Sequence, residues 1–397
     1  MFHHLLKLIW KRKGRNLMLS LEILLAFVLV FAISAFGLRY YQLYQLPIGF
    51  DAGDVWSVRI QGAGQSDAAF TPEAYDQLKR GLLAMPGARE VAFINAPPFT
   101  NSTWNTDFKV DGRQVKTELV QASDEIFTVL GIDLIEGRAY DRRDDGQAQR
   151  PVVINARLAL EMFGTTKVVG KVFEWSERGE KENGQKRVVG VVSEFRNKGE
   201  LAAPRNMALA RQIPGSSDAL RSILIKMEPG TPRAFEETLT RQLKLINNAW
   251  TYQIAPLPAL RTTAMRDNLT PILILSVIAA FLLLMVAFGL FGVLWQNTTR
   301  RIPEIGLRRA IGAHAGDIYR QIIAEQFLLS SGAMLVALLL LVQLPITGAL
   351  GEGLNWTVFG AATLLSMAVI YLLSLLCSVY PGWRASRLSP TQALHYE

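Results

Sequence analysis

Four apolar runs limit what this chain can fold into. Residues 17–38, 272–295, 327–344 and 358–380 each have the roughly 17 to 25 residues that carry a helix across a hydrocarbon core. One run stands near the start, three crowd the end, and a long polar segment separates the first from the second. The pattern predicts an α-helical membrane protein with four transmembrane helices and a large mixed α/β domain outside the bilayer. A basic leader followed by apolar residues also describes a signal peptide. This first run is longer than the 7–15 residues of such a core, so it reads as a retained anchor. Cys377, the single cysteine, falls inside the fourth run, which excludes an intramolecular disulfide or a cysteine metal cluster.

Orientation follows from the basic residues. Lys7, Lys11, Arg12, Lys13 and Arg15 precede the first run. Arg300, Arg301, Arg308, Arg309 and Arg320 follow the second, and Arg384 and Arg387 follow the fourth. The connection "PITGALGEGLNW" between the third and fourth runs has none. The positive-inside rule therefore puts both termini and the Thr298 stretch in the cytosol and the large segment outside. The formal charge of +8 does not point to nucleic acid. Residues 39–269 carry 30 basic and 28 acidic side chains, so the surplus sits where topology needs it.

The division that results is an interfacial amphipathic helix over 1–16, a first span at 17–38, an outer domain at 39–269 and a second span at 270–296. A cytosolic coupling segment at 297–326 leads to a third span at 327–346, a short outer loop at 347–356, a fourth span at 357–380 and a cytosolic tail at 381–397. Phe2, Leu5, Leu6 and Ile9 share one helical face of the first segment, as an interfacial helix requires.

Within the outer domain, "DVWSVRI", "TPEAYDQLKRGLLAM" and "REVAFINA" read as strand, helix and strand, the helix opening on Thr, Pro and Glu. The order recurs in "SILIKMEP", "TPRAFEETLTRQLKLIN" with the same Thr-Pro opening, and "TYQIAPL". Two such units predict a ferredoxin-like sandwich. Between them, about 108–201, a run of strands predicts a separate inserted β-rich lobe, with "SERGEKENGQKR" as a hairpin tip.

Chemistry-bearing motifs are scarce. Asp141, Asp144 and Asp145 lack calcium-loop spacing and read as a solvated turn. Asn101 opens a glycosylation acceptor that matters only in a glycosylating secretory route. No nucleophile elbow, zinc-binding helix or phosphate-binding loop occurs, so no ATP hydrolysis by that loop, no metal site and no cofactor bound by this chain is expected. Glu22 is costly in lipid and is expected to face protein or to reach the interface; a structural pairing is the favoured reading, and a role in substrate passage is the alternative. The other span positions read as apolar, with no polar stripe for a hydrophilic route.

The stretch "TTRRIPEIGLRRAIGAHAGDIYRQ" from Thr298 reads as a self-contained short helix. Pro303 suits its first turn, Glu304 its positive end and Arg308 and Arg309 its negative end, and Gly312 falls where a left-handed cap belongs. A second helix begins near 315–317 and runs into the third span.

"RIPEIGLRRAIGA" with "DIYRQIIAEQFLL", the tail "YPGWRASRLSPTQALHYE", and the outer run from "ASDEIFTVLGIDLIEGRAY" through "RVVGVVSEFRNKGEL" resemble the MacB/FtsX-type ABC transporter permeases over nearly the whole chain. The resemblance implies half of a dimeric permease, paired with a second copy or a paralogue, with a separate or fused ABC ATPase beneath it that binds ATP-Mg and a periplasmic adaptor as a further partner. It implies ATPase contact by Glu304, Ile305, Gly306, Leu307, Arg308, Arg309, Ala310, Gly312 and Ala313. Pro303 departs from the basic residue more common there. It also implies an inner-membrane location, and a function in which partner ATP hydrolysis changes the periplasmic domain for export or release of a substrate. A non-transporting regulator of the cell-division type, activating a periplasmic partner, shares this architecture. A sensor leaves two spans unexplained, and an enzyme lacks a catalytic constellation.

Overall fold

The computed structural model describes residues 13–61, 70–102, 104–110, 112–176, 184–215, 220–300, 302–348 and 354–386. The expected interfacial helix, the hairpin tip and the end of the tail fall largely or wholly outside the described residues. In chain order the elements begin α1 (Lys13–Tyr44), β1 (Val55–Gln61), α2 (Pro72–Leu83), β2 (Ala88–Ile94), β3 (Asn105–Val110), β4 (Arg113–Ala122), α3 (Ile126–Val129) and β5 (Leu134–Gly137). After a 3₁₀ turn at Arg142–Asp144 come β6 (Arg150–Asn155), α4 (Ala156–Phe163), β7 (Val172–Ser176), β8 (Gly184–Val192), β9 (Met207–Arg211), β10 (Ser222–Met227), α5 (Phe235–Ile246) and β11 (Thr251–Pro256). The chain ends with α6 (Leu257–Arg300), α7 (Ile302–Ala310), α8 (Ala315–Leu341), α9 (Gln343–Thr347) and α10 (Trp356–Ser386). These elements form two compact units, Leu43–Asn268 and the remainder.

Within the membrane unit, α1, α6, α8 and α10 are long and apolar enough to cross a bilayer. Their shared core includes Ile23, Phe27, Leu290, Ala337 and Ala362. Large apolar side chains such as Val277, Phe281 and Phe288 stay exposed, which suits helices solvated by lipid rather than water. The 44 residues of α6 make a helix of about 66 Å at 1.5 Å per residue, much longer than the span predicted inside it. The seam between α8 and α10 corrects the expectation of apolar spans. Ser330 and Ser374 share a 2.8 Å hydrogen bond, Ser331 and Tyr371 another of 2.8 Å, and Gln326 Nε2 donates to Ser330 Oγ at 3.3 Å. Small hydroxyl residues let helices approach and bond across the gap; the partners lie about 40 residues apart in the chain, so linear sequence does not show them. Glu22 faces protein, but the expected pairing is absent among the described residues. Its buried Oε2 has no hydrogen-bond partner and lies 2.8 Å from where a Cβ on Gly289 would sit.

In the outer unit, strands β11, β1, β10 and β2 lie in that order, each antiparallel to its neighbours. This is the order two interlocked β-α-β units produce. Strand alternation divides the side chains between two cores. Trp56, Val58 and Ile225 meet Leu78 of α2 and Leu243 of α5 on one face. Val55, Ala92 and Leu224 meet α3 and the inserted strands on the other. Thr71 caps α2 as expected, its hydroxyl accepting from Ala74 N at 3.3 Å. The second Thr-Pro does not repeat this: Thr231 Oγ1 donates to Glu228 O at 2.7 Å, residues 232–234 form a turn, and α5 begins only at Phe235.

The insertion runs from β3 through β9, wider than 108–201, because β9 pairs with both β4 and β6. Its strands continue the sheet of the sandwich through one residue pair, Ile94 with Ala122, so the lobe is not separate at the level of hydrogen bonding. Beyond that link β4, β3, β7, β8, β6 and β9 follow one another, and the parallel β4–β9 pairing closes them into a barrel. Phe108, Val152, Trp175, Val188 and Ala208 share its core with Leu158 and Met162 of α4. The expected solvated turn also holds a half-buried ion pair. Asp144, 4% exposed, takes two bonds from Arg138 at 2.8 and 2.6 Å, and that guanidinium holds its carboxyl below the usual carboxylate range. No cluster of potential metal ligands occurs among the described residues.

Candidate coupling site

Helix α7 is nine residues long, too short to persist in water without packing. Ile305 supplies the packing, joining Leu294 of α6 and Ile318 and Ile322 of α8 in a small apolar cluster. Ile302, Ile305 and Gly306 are buried, whereas Glu304, Leu307, Arg308 and Ala310 are exposed. Pro303 is the second helical residue and Glu304 sits in the first turn, where a missing N–H and a negative charge are both tolerated.

The helix ends as its sequence suggests. Ile311 N donates to Leu307 O at 3.1 Å, Ala313 N donates to Arg308 O at 3.0 Å, and Gly312 between them has φ +104°. His314 then begins α8 in extended conformation and accepts from Asp317 N at 3.1 Å. The two helices meet at a single tight corner.

A hydrogen-bonded line crosses that corner. Arg308 Nη2 donates to Glu304 Oε1 at 2.5 Å and Nη1 donates to Gln321 Oε1 at 3.0 Å. Gln321 Nε2 donates in turn to Glu325 Oε1 at 3.1 Å. These four side chains rim a cavity of about 40 Å³ floored by Leu294, Ile305, Ile318 and Ile322. The corner has apolar contacts below and a charged mouth above. Chemically it can hold a surface at a fixed angle to α8.

Of the nine residues singled out from sequence, Glu304, Leu307, Arg308, Ala310 and Gly312 are exposed, Ala313 is half-buried, and Ile305 and Gly306 face inward. The side chain of Arg309 lies outside the described set. Sequence reasoning passed over Ile311, which is 78% exposed beside Leu307 at 57%. Two large aliphatics on the open side of a charged helix were the available signal. On the neighbouring helices, Trp295 and Tyr380 stack 6.0 Å apart at 7°, and the Arg384 guanidinium lies 4.4 Å over Trp295, tying the ends of α6 and α10.

Comparisons with known proteins agree with this organisation. Residues 18–242 match the model of the MacB-like periplasmic core domain, and 276–390 match that of the FtsX-like permease C-terminal region. The "Macrolide export ATP-binding/permease protein MacB 1/2" of Paracoccus denitrificans is 24% identical, over 88% of this chain and 50% of its own length. A MacB of Agrobacterium fabrum is 23% identical over 97% of this chain and 59% of its own. The chain therefore spans only about half the length of such relatives. Among solved structures, the periplasmic region of MacB from Actinobacillus actinomycetemcomitans is 16% identical, covering 56% of this chain and 97% of that one with a TM-score of 0.39. With one model covering more than half of it and another the three later spans, the chain belongs to the MacB-like family of ABC transporter permeases, as a membrane protein with a MacB-like periplasmic core domain and an FtsX-like permease C-terminal region.

Proposed function

We propose that this chain is the transmembrane subunit that couples ATP hydrolysis on a partner ABC ATPase to a conformational change of its periplasmic domain, for export or release of a substrate from the periplasmic side. Both termini and α7 face the cytosol in this reading, ATP-Mg belongs to the partner, a second copy or a paralogue completes the permease, and a periplasmic adaptor is a further partner. The observation that carries it is the presentation of α7: Ile305 anchors the helix from below while Glu304, Leu307, Arg308 and Ile311 are offered outward. An exposed arrangement of aliphatics and paired charges on a positioned helix suits protein docking. The relatives' name joins ATP binding to a permease in one protein, which supports an ATPase as the docking partner.

The test is isolation of the full chain from native membranes, identification of what accompanies it, and ATP turnover by the isolate. An ABC ATPase should copurify, and Arg308→Glu with Arg309→Glu should release it while insertion of the chain is unchanged. Retention of the ATPase and of turnover in that double variant would remove α7 from the coupling role.

A further inference from the structure

Where the outer domain begins, the chain after α1 is hydrogen-bonded to a loop of the barrel. The last carbonyls of any helix lack intrahelical donors and need other partners when buried. Here Arg196, 4% exposed, provides them. Its Nη1 donates to Leu43 O and to Leu46 O, each at 2.9 Å. Its Nη2 donates to Ala202 O at 2.7 Å and to Glu200 O, and its own backbone N–H donates to Ile48 O at 2.9 Å. One rigid guanidinium fork thus holds the end of α1 and both sides of its own loop, an arrangement the point charge of a lysine does not reproduce.

The same loop reaches the root of α6. The carboxylate of Glu200, 6% exposed, pairs with Arg261, five residues after β11 gives way to that helix. Close packing leaves the junction little slack. Gly49 has φ +85°, and a Cβ there would sit 1.8 Å from Glu194 O. The Phe50 ring lies 4.9 Å from that of Phe195 and 5.5 Å from that of Phe99.

We infer that Arg196 and Glu200 are positioning residues that fasten the outward end of α1 and the root of α6 to one barrel loop, so that displacement of either helix is delivered to the lobe. The inference rests on the permease reading for its purpose and on the hydrogen bonds above for its geometry. Backbone bonds from a buried charge open together or not at all, which makes the fastening measurable without knowing the substrate.

The experiment is hydrogen exchange on the full chain in lipid nanodiscs, with and without ATP-Mg and whatever ATPase co-isolates. In the wild type, segments 43–48 and 195–202 exchange as one cooperative unit. Arg196→Gln should raise both at least about tenfold, since bonds to a charged group are the strong class. It should also abolish the ATP-driven change at 195–202 while ATP turnover continues. Phe50→Leu loosens the same junction but keeps the fork; it should lower stability and leave the two segments coupled, which separates positioning from general support. Arg261→Gln, altering a side chain 44% exposed, should free residues 257–264 alone and serves if Arg196→Gln fails to fold. Unchanged exchange at both segments in Arg196→Gln overturns the inference, as does loss of coupling in Phe50→Leu. If the segments separate as expected but no ABC ATPase accompanies the chain, the fastening stands and the ATP-coupling reading alone falls.

Discussion

Ile305→Ala distinguishes what holds α7 in place from what α7 presents. Ile305 is 6% exposed, and among the described residues its cluster contains only Leu294, Ile318 and Ile322 besides. Truncating a buried isoleucine to alanine costs about 2–5 kcal/mol, and a cluster this small, beside an existing cavity of about 40 Å³, puts the figure near the lower end. About 2 kcal/mol is roughly a thirtyfold change in an opening equilibrium, at 1.4 kcal/mol per tenfold. Arg308→Glu acts on a different quantity. The Arg308 and Glu304 side chains are 43% and 52% exposed, so their i,i+4 pair is worth about 0.3–0.5 kcal/mol. The new like-charge contact adds a similar penalty, and together these stay below about fivefold. Hydrogen exchange over 302–311 in the full chain should therefore accelerate about thirtyfold in Ile305→Ala and only slightly in Arg308→Glu. ATPase association should weaken in both, through undocking in the first and lost complementarity in the second. Equal acceleration in the two variants, or none in Ile305→Ala, would refute the separation of anchor from contact surface.

Topology is tested by reporters at Gly146 and Gly316, which should read as external and cytosolic; the reverse at either position ends the four-span arrangement. Gly312→Val should cost about 1–3 kcal/mol, because φ +104° disfavours any β-branched residue even though the space around its Cβ is open; wild-type exchange at 311–316 would remove the cap from the argument. The Arg138–Asp144 pair should make the outer domain acid-sensitive in one direction only. Its depressed carboxyl contributes stability that is fully present above the unfolded value of about 4 and is lost as pH falls through the lower folded value. Asp144→Asn should flatten that part of a thermal-unfolding profile, and parallel profiles for the two proteins would sink the assignment.

Much of this fold is written locally. The caps at Thr71 and Gly312 are each decided within a few residues, and they appear where the sequence put them. What escaped depends on partners distant in the chain. "MALAR" has no alternation of polar and apolar residues, yet it becomes β9 because β4 and β6 pair with its two edges and its side chains are buried on both faces. "ARLALEMF" was passed over as a helix although Asn155 caps it and Gly164, at φ +70°, ends it. The serines of α8 and α10 look like ordinary small residues until Ser330 meets Ser374. The second Thr-Pro misled for a related reason. Its hydroxyl had a nearer acceptor in Glu228 O, and local competition of this kind leaves no mark on helical periodicity. At the candidate coupling site the charges were legible, but the inward placement of Ile305 and the outward placement of Ile311 had to wait for α8 to show which face was covered.

Closure of the inserted strands has a consequence for who can bind there. An open sheet edge will accept almost any extended chain, since backbone groups carry no sequence identity. A domain folding beyond the membrane meets unfolded neighbours, and an open edge would expose it to them. The ring of β4, β3, β7, β8, β6 and β9 satisfies its own ladder. Within that ring, recognition must pass through side chains and the loops between strands, which can distinguish one visitor from another.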